Sequence, residues 1–146
     1  MEATGFSVEL TLERGYQFSV DFGPDGPPDL MVDEAAPLGG GAGPNPARML
    51  GVAVAHCLSA SLLFCLRKYR IDVKEMRSRA EGTLVRNEQG RFRIGGLKVT
   101  LDPLLSAEDR ERAGRCLESF EDYCIVTESV RHGIEVDVTV NAGQPV

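Results

Sequence analysis

Missing features narrow the possibilities for this chain first. Histidine occurs only at His56 and His132, and the four cysteines, Cys57, Cys65, Cys116 and Cys124, include no Cys-x-x-Cys pair. The ligand spacings of a structural zinc site are therefore absent, and neither a metal nor another cofactor is expected. Basic residues are the minority, 16 against 22 acidic, for a formal charge of −6. A surface that tracks phosphates needs concentrated Lys and Arg, so nucleic acid is not an expected partner. Met1 to Phe6 carries neither a basic start nor an apolar stretch, and nothing there directs the chain to an oxidising compartment. A cytoplasmic location with reduced thiols is the expectation. No internal repeat or low-complexity linker interrupts the 146 residues, of which 42% are hydrophobic. One domain spanning residues 1–146, with its own core, is expected.

Phe6, Val8, Leu10 and Leu12 alternate with polar residues, as do Tyr16, Phe18, Val20 and Phe22. A period of two marks half-buried strands, and Arg14-Gly15 between them makes the tip of a hairpin. A short strand at Leu30 to Val32 precedes Pro37 and the glycines 39, 40, 41 and 43. That run lacks the Lys and Ser/Thr of a phosphate loop and reads as a flexible approach to a helix. Asn45 suits the N-cap and Pro46 the first helical position, predicting a helix from Pro46 to Tyr69. Its apolar part, Met49 to Leu66, is 18 residues long, the lower edge for a membrane span. With His56, Ser59 and Ser61 inside it, it reads as a buried central helix and not as a span.

Val73 to Val85 reads as another strand, and Phe92 to Leu101 as its partner, with a bulge at Gly95-Gly96 to restore the facing. Ser106 and Asp109 approximate a capping box for a second helix running to about Tyr123. Ile134, Val136, Val138 and Val140 then alternate with polar residues as a last strand. The fold class is α+β with the order βββ-α-ββ-α-β.

Cys57 and Cys124 both sit in apolar helical settings. Free cysteines are among the most buried residues, so core filler is one reading of both. A two-thiol redox centre is the other: a thiolate reduces a peroxide, becomes a sulfenic acid, and a second thiol condenses with it. That chemistry needs a cation, because burial alone silences a thiol. Arg48 lies nine residues before Cys57, on the opposite helix face and about 13 Å along the axis, and is badly placed. Arg14, at the hairpin tip, is free to approach. A Cys57–His132 dyad is a third arrangement, although His132 before Gly133 suits a turn. The pairs 57 with 124 and 65 with 116 share one antiparallel register, so helices that join the first pair align the second.

The segment GPNPARMLGVAVAHCLSASLLF, Gly43 to Phe64, followed by FEDYCIVTESVRHGIEVDV, Phe120 to Val138, resembles the OsmC/Ohr family, named from osmotically inducible protein C and organic hydroperoxide resistance protein. The resemblance implies an OsmC-like fold in which sheets wrap two central helices in an intertwined homodimer. It implies a thiol-dependent peroxidase reducing organic hydroperoxides, with Cys57 peroxidatic, Cys124 resolving, Arg14 activating the thiolate, and an external dithiol as reductant. Peroxidase members carry a glutamate directly after the Asn-Pro, whereas this chain has Ala47 and then Arg48. Glu34, Glu128 or a carboxylate from the other subunit are the candidates to replace it, and Arg48 could anchor an anionic ligand. The departure motivates two alternatives: a non-catalytic protein binding an apolar or thiol-containing ligand at the dimer interface, and a redox sensor.

Overall fold

In a computed structural model, residues 4–143 are described, so the start of the Met1–Phe6 segment lies outside the described residues. The chain groups into two compact units, Met1–Ala55 with Arg79–Thr100, and His56–Ser78 with Leu101–Val146.

The first unit opens with a three-stranded antiparallel sheet of β1 (Glu9–Arg14), β2 (Gln17–Asp21) and β3 (Leu30–Val32). β1 and β2 are joined by the two-residue turn Gly15-Tyr16, and Gly15 takes the positive φ, 54°, that its first position demands. Leu12 pairs with Phe18, but the next pair is Arg14 with Gln17, so β1 carries a one-residue bulge that moves Glu13 aside and sets Arg14 opposite Gln17. The expected half-burial holds for β2, where Val20 is buried and Phe18 half-buried, but not for β1, whose Leu10 and Leu12 are exposed.

The glycine-rich stretch after β3 is not the loose tether expected from its composition. It folds back on Asp33, with Gly39 N–H donating to Ala35 O, Gly41 N–H to Glu34 O and Ala42 N–H to the Asp33 carboxylate. A Cβ on Gly43 would fall 2.1 Å from Met31 O, so only glycine permits that approach to β3. The long strands β4 (Met76–Arg86) and β5 (Phe92–Pro103) pair as a second, two-stranded sheet. β5 runs unbroken through Gly95-Gly96, where Gly95 lies against the Val85 side chain.

Helix α1 (Pro46–Lys68) begins where the sequence predicts, with Asn45 Oδ1 accepting from the Arg48 amide at 2.9 Å. Val54, Leu58, Leu62 and Leu66, each four residues apart, form its buried stripe. The helix is long and apolar enough to cross a membrane by length and composition, and that stripe supplies it instead with a packing face. It stops in a Schellman turn: Arg70 takes φ 56°, Ile71 N–H reaches Leu66 O, and Arg70 N–H reaches Arg67 O. Ile71 is thereby turned into the core of the second unit beside Leu62, Leu66, Leu105, Ala113 and Cys116.

The expected second helix is divided. α2 (Ala107–Arg112) is capped by Ser106, whose hydroxyl accepts from Asp109 N–H at 3.1 Å, as the capping-box pattern predicts. α3 (Gly114–Ser119) tightens into a 3-10 turn, Phe120–Tyr123, and Cys124 then leaves helical geometry to become the N-cap of α4 (Ile125–His132). Gly133, at φ 77°, ends α4. The expected last strand is corrected here: residues 134–140 form no ladder among the described residues, and Ile134, Val136, Val138 and Val140 are all largely exposed. Alternation encodes the tendency to pair, and among the described residues no strand pairs with this segment.

Candidate active site

The second unit brings two pairs of cysteines together in one register. Cys65 on α1 and Cys116 on α3 form a disulfide with Cα atoms 5.6 Å apart. Two helical turns earlier on α1, Cys57 faces Cys124, and the two thiols share a hydrogen bond. The relation read from the numbering therefore holds in space for both pairs. It departs from the expectation that all four thiols are reduced, since half-buried Cys65, packed against the core, is bonded to buried Cys116.

The two free thiols differ in surroundings. Cys57 is partly exposed, whereas Cys124 is wholly buried. Cys124 Sγ lies 2.9 Å from the hydroxyl of Thr127, itself buried, and Ser61, one turn beyond Cys57 on α1, also hydrogen-bonds to it. The opening amides of α4, at Val126 and Thr127, act on the Cys57 sulfur. Burial pushes the Cys57 thiol above its ordinary value and the neighbouring Cys124 adds to this, against the opposing pull of those two amides. Burial acts upward on Cys124 too, but there its hydrogen bonding with Cys57, Thr127 and Ser61 outweighs it and holds the thiol below its ordinary value. The two thiols are therefore shifted in opposite senses, Cys57 up and Cys124 down, and titrate as a pair.

Ser61 also lines a cavity of about 530 Å³ with Phe64, Tyr69, Phe120 and Tyr123, so an apolar recess opens one helical turn from the thiols. Thr127 and Ser61 escaped the sequence reading. Both carry a local signal, three residues after an N-cap cysteine and four after a helical one, which becomes meaningful only once Cys124 is known to start a helix.

The other candidates have partners of their own. Arg14 closes β1 in the first unit, its Nε donating to Gln17 Oε1 at 3.1 Å. His132 sits at the far end of α4 from Cys124 and hydrogen-bonds through Nδ1 to the Glu128 carbonyl, which removes the Cys57–His132 dyad. Glu128 pairs with Arg131 at 2.6 Å. Arg48 is an exposed first-turn residue of α1 whose amide is capped by Asn45.

Residues 39–139 match the OsmC-like protein family. The chain belongs to that family. Among solved structures, an OsmC-like protein of unknown function from Vibrio cholerae is 16% identical with a TM-score of 0.74, covering 87% of this chain and 94% of the other. The organic hydroperoxide resistance protein OhrB of Bacillus subtilis is 22% identical with a TM-score of 0.58, covering 88% and 91%. A second Vibrio cholerae protein, assigned to organic hydroperoxide resistance and holding captopril in one of its active sites, is 27% identical with a TM-score of 0.60, covering 96% and 94%. No curated protein matches the sequence. The α+β fold is thus that of the OsmC/Ohr proteins, in a divergent member.

Proposed function

We propose that this OsmC-like protein is a cytoplasmic thiol peroxidase that reduces organic hydroperoxides, its residues 1–146 working as one domain. The observation that carries the reading is the contact between a partly exposed thiol, Cys57, and a buried one, Cys124, whose pKa is lowered by its neighbours. Cys57 is the sulfur a substrate can reach. As thiolate it attacks the O–O bond, taking one oxygen to become a sulfenic acid while the other leaves, with a proton, as the alcohol. The Cys124 sulfur, as thiolate, then attacks Cys57 Sγ and releases water after proton transfer, leaving a disulfide. An external dithiol reduces that disulfide and closes the cycle.

Each step has a fitting environment. The second needs a resolving thiol that ionises readily beside the first, which is what Thr127 and Ser61 favour at Cys124. The first needs a cation to offset the burial of Cys57, and we assign that role to Arg14, in keeping with the family resemblance. The apolar cavity beside Ser61 suits a hydrocarbon-bearing peroxide better than hydrogen peroxide. We further propose a homodimer. The exposed alternation from Ile134 to Val140, together with exposed Leu10, Leu12 and Phe64, is apolar surface of the kind a second copy covers.

Peptide mass mapping after a brief, near-stoichiometric dose of cumene hydroperoxide tests the mechanism. A Cys57–Cys124 disulfide is expected in the wild type, a Cys57 sulfenic acid in Cys124→Ser, and no peroxide consumption in Cys57→Ser. Peroxide that persists over a reduced Cys57 would refute the reading, leaving the cavity as a site for a bound apolar ligand. Slow turnover with fast disulfide formation would instead mark a sensor.

A further inference from the structure

Arg14 is an exposed arginine at a hairpin tip, and such a side chain ordinarily samples many rotamers. Here it is held. Its Nε donates to Gln17 Oε1, and the Gln17 amide in turn hydrogen-bonds to the carboxylate of Asp33. All three belong to the first unit and line one cavity of about 270 Å³ with Tyr16 and Leu38.

The sheet explains why they meet. The bulge in β1 makes Arg14 the register partner of Gln17. Phe18 pairs with Val32 in the antiparallel β2–β3 ladder, so one step further along the same register sets Gln17 opposite Asp33. Residues directly opposed in antiparallel strands point to the same face. The three side chains therefore lie in a row across β1, β2 and the end of β3.

The chemistry of the row has one sense only. Arginine donates and cannot accept, and an ionised carboxylate accepts and cannot donate. A glutamine between them satisfies both with its carbonyl toward the cation and its NH₂ toward the anion, so its amide cannot turn over without breaking both bonds. Asp33 is itself fixed: it is buried, with 3% of its surface exposed, and accepts from the amides of Glu34 at 2.8 Å and Ala42 at 3.0 Å, with Gly40 also contributing. The folded glycine segment anchors the carboxylate, the carboxylate orients the glutamine, and the glutamine aims the guanidinium.

We propose that Gln17 and Asp33 are positioning residues for Arg14, forming an Arg14–Gln17–Asp33 relay across the sheet that fixes the guanidinium for its work on the peroxidatic thiolate. The inference rests on the proposed role of Arg14, but the relay itself has a readout independent of that role. In the isotope-labelled, full-length protein the Arg14 Nε–Hε resonance is protected from solvent exchange when the relay is intact. Gln17→Met, which keeps the length and leaves the Asp33 amides untouched, exposes that resonance to exchange. Gln17→Glu, which accepts from Arg14 but cannot donate to Asp33, keeps only part of the protection, and Asp33→Asn, with a neutral anchor, weakens it too.

Hydroperoxide turnover follows the same order. Gln17→Met loses about tenfold in kcat, short of the roughly 100-fold that a 1 Å misplacement can cost, and Gln17→Glu loses less. Protection that is unchanged in Gln17→Met overturns the relay. Loss of protection with unaltered turnover supports the relay and instead refutes the role of Arg14 in peroxide chemistry. The two failures are thereby told apart.

Discussion

Opening the Cys65–Cys116 bond is expected to destabilise the protein by about 4 kcal/mol. The bond closes a loop of 51 residues. Loop closure of that length removes roughly 14 cal/mol/K from the unfolded ensemble, or about 4 kcal/mol at 25 °C. The native side is expected to change little, because both sulfurs belong to a packed core with Leu62, Leu66 and Ile71, and two thiols occupy nearly the same volume. The comparison is best made in a Cys57→Ser/Cys124→Ser background, so that this bond alone responds to dithiothreitol. Urea unfolding of oxidised and reduced protein at one fixed concentration should then differ in midpoint by about 2 M, taking a slope of about 2 kcal/mol/M. A difference below roughly 0.5 M would refute the reasoning: the bond would then constrain an unfolded chain that was already compact, or strain the folded one.

Thr127→Val removes the hydroxyl beside Cys124 while keeping the shape. The first thiolate of the pair, followed by ultraviolet absorbance, should form at higher pH than in the wild type, and an unmoved titration would show that Thr127 does not hold Cys124 down. Arg70→Gly should stabilise the chain by about 1 kcal/mol in thermal or urea unfolding, since Arg70 occupies the left-handed position of a Schellman turn that glycine adopts without a Cβ penalty. A loss of stability would mean that the Arg70 side chain makes a contribution beyond its backbone. Val136→Lys with Val138→Lys should shift the protein from dimer to monomer in sedimentation at micromolar concentration, and an unchanged dimer would show that this segment lies outside the interface.

Features that speak locally were legible in the sequence. Asn45-Pro46 announced the start of α1, and Ser106 with Asp109 the start of α2, because a cap is a contact between residues three apart. The shared register of the four cysteines was legible for a different reason: antiparallel helices conserve the sum of paired positions, whatever surrounds them. Asp33 was silent. A lone acid after a three-residue strand gives no sign of its role until the glycines behind it fold back and supply amides, a contact that depends on the path of the whole loop. The alternation from Ile134 to Val140 was read as a strand, yet the residues that would pair with it are not encoded in the segment, and it is unpaired among the described residues. The end of the second helix near Tyr123 was read, but its division after Arg112 and the restart as α4 at Ile125 were not, because the residues on either side are acceptable helix formers. Packing the Cys124 thiol against Cys57, rather than local propensity, accompanies the interruption.

The opposite shifts of the two thiols fit a division of labour better than they fit two equivalent packing residues. A thiolate held permanently on the exposed sulfur would react with any oxidant, whereas here burial raises the pKa of the exposed Cys57 and the hydrogen bonds around buried Cys124 lower its own. In the proposed cycle Cys57 becomes a nucleophile only where a cation compensates its burial. Its reactivity is then conditional on Arg14, and Arg14 is ordered by Gln17 and the buried Asp33, not by a neighbour on its own strand. Once Cys57 is oxidised it no longer competes for the proton, and Cys124, already favoured as thiolate by Thr127, is in contact with the sulfur it must attack. On the proposed mechanism this arrangement makes the first step selective and favours the second, which two cysteines serving only as core filler would have no physical reason to require.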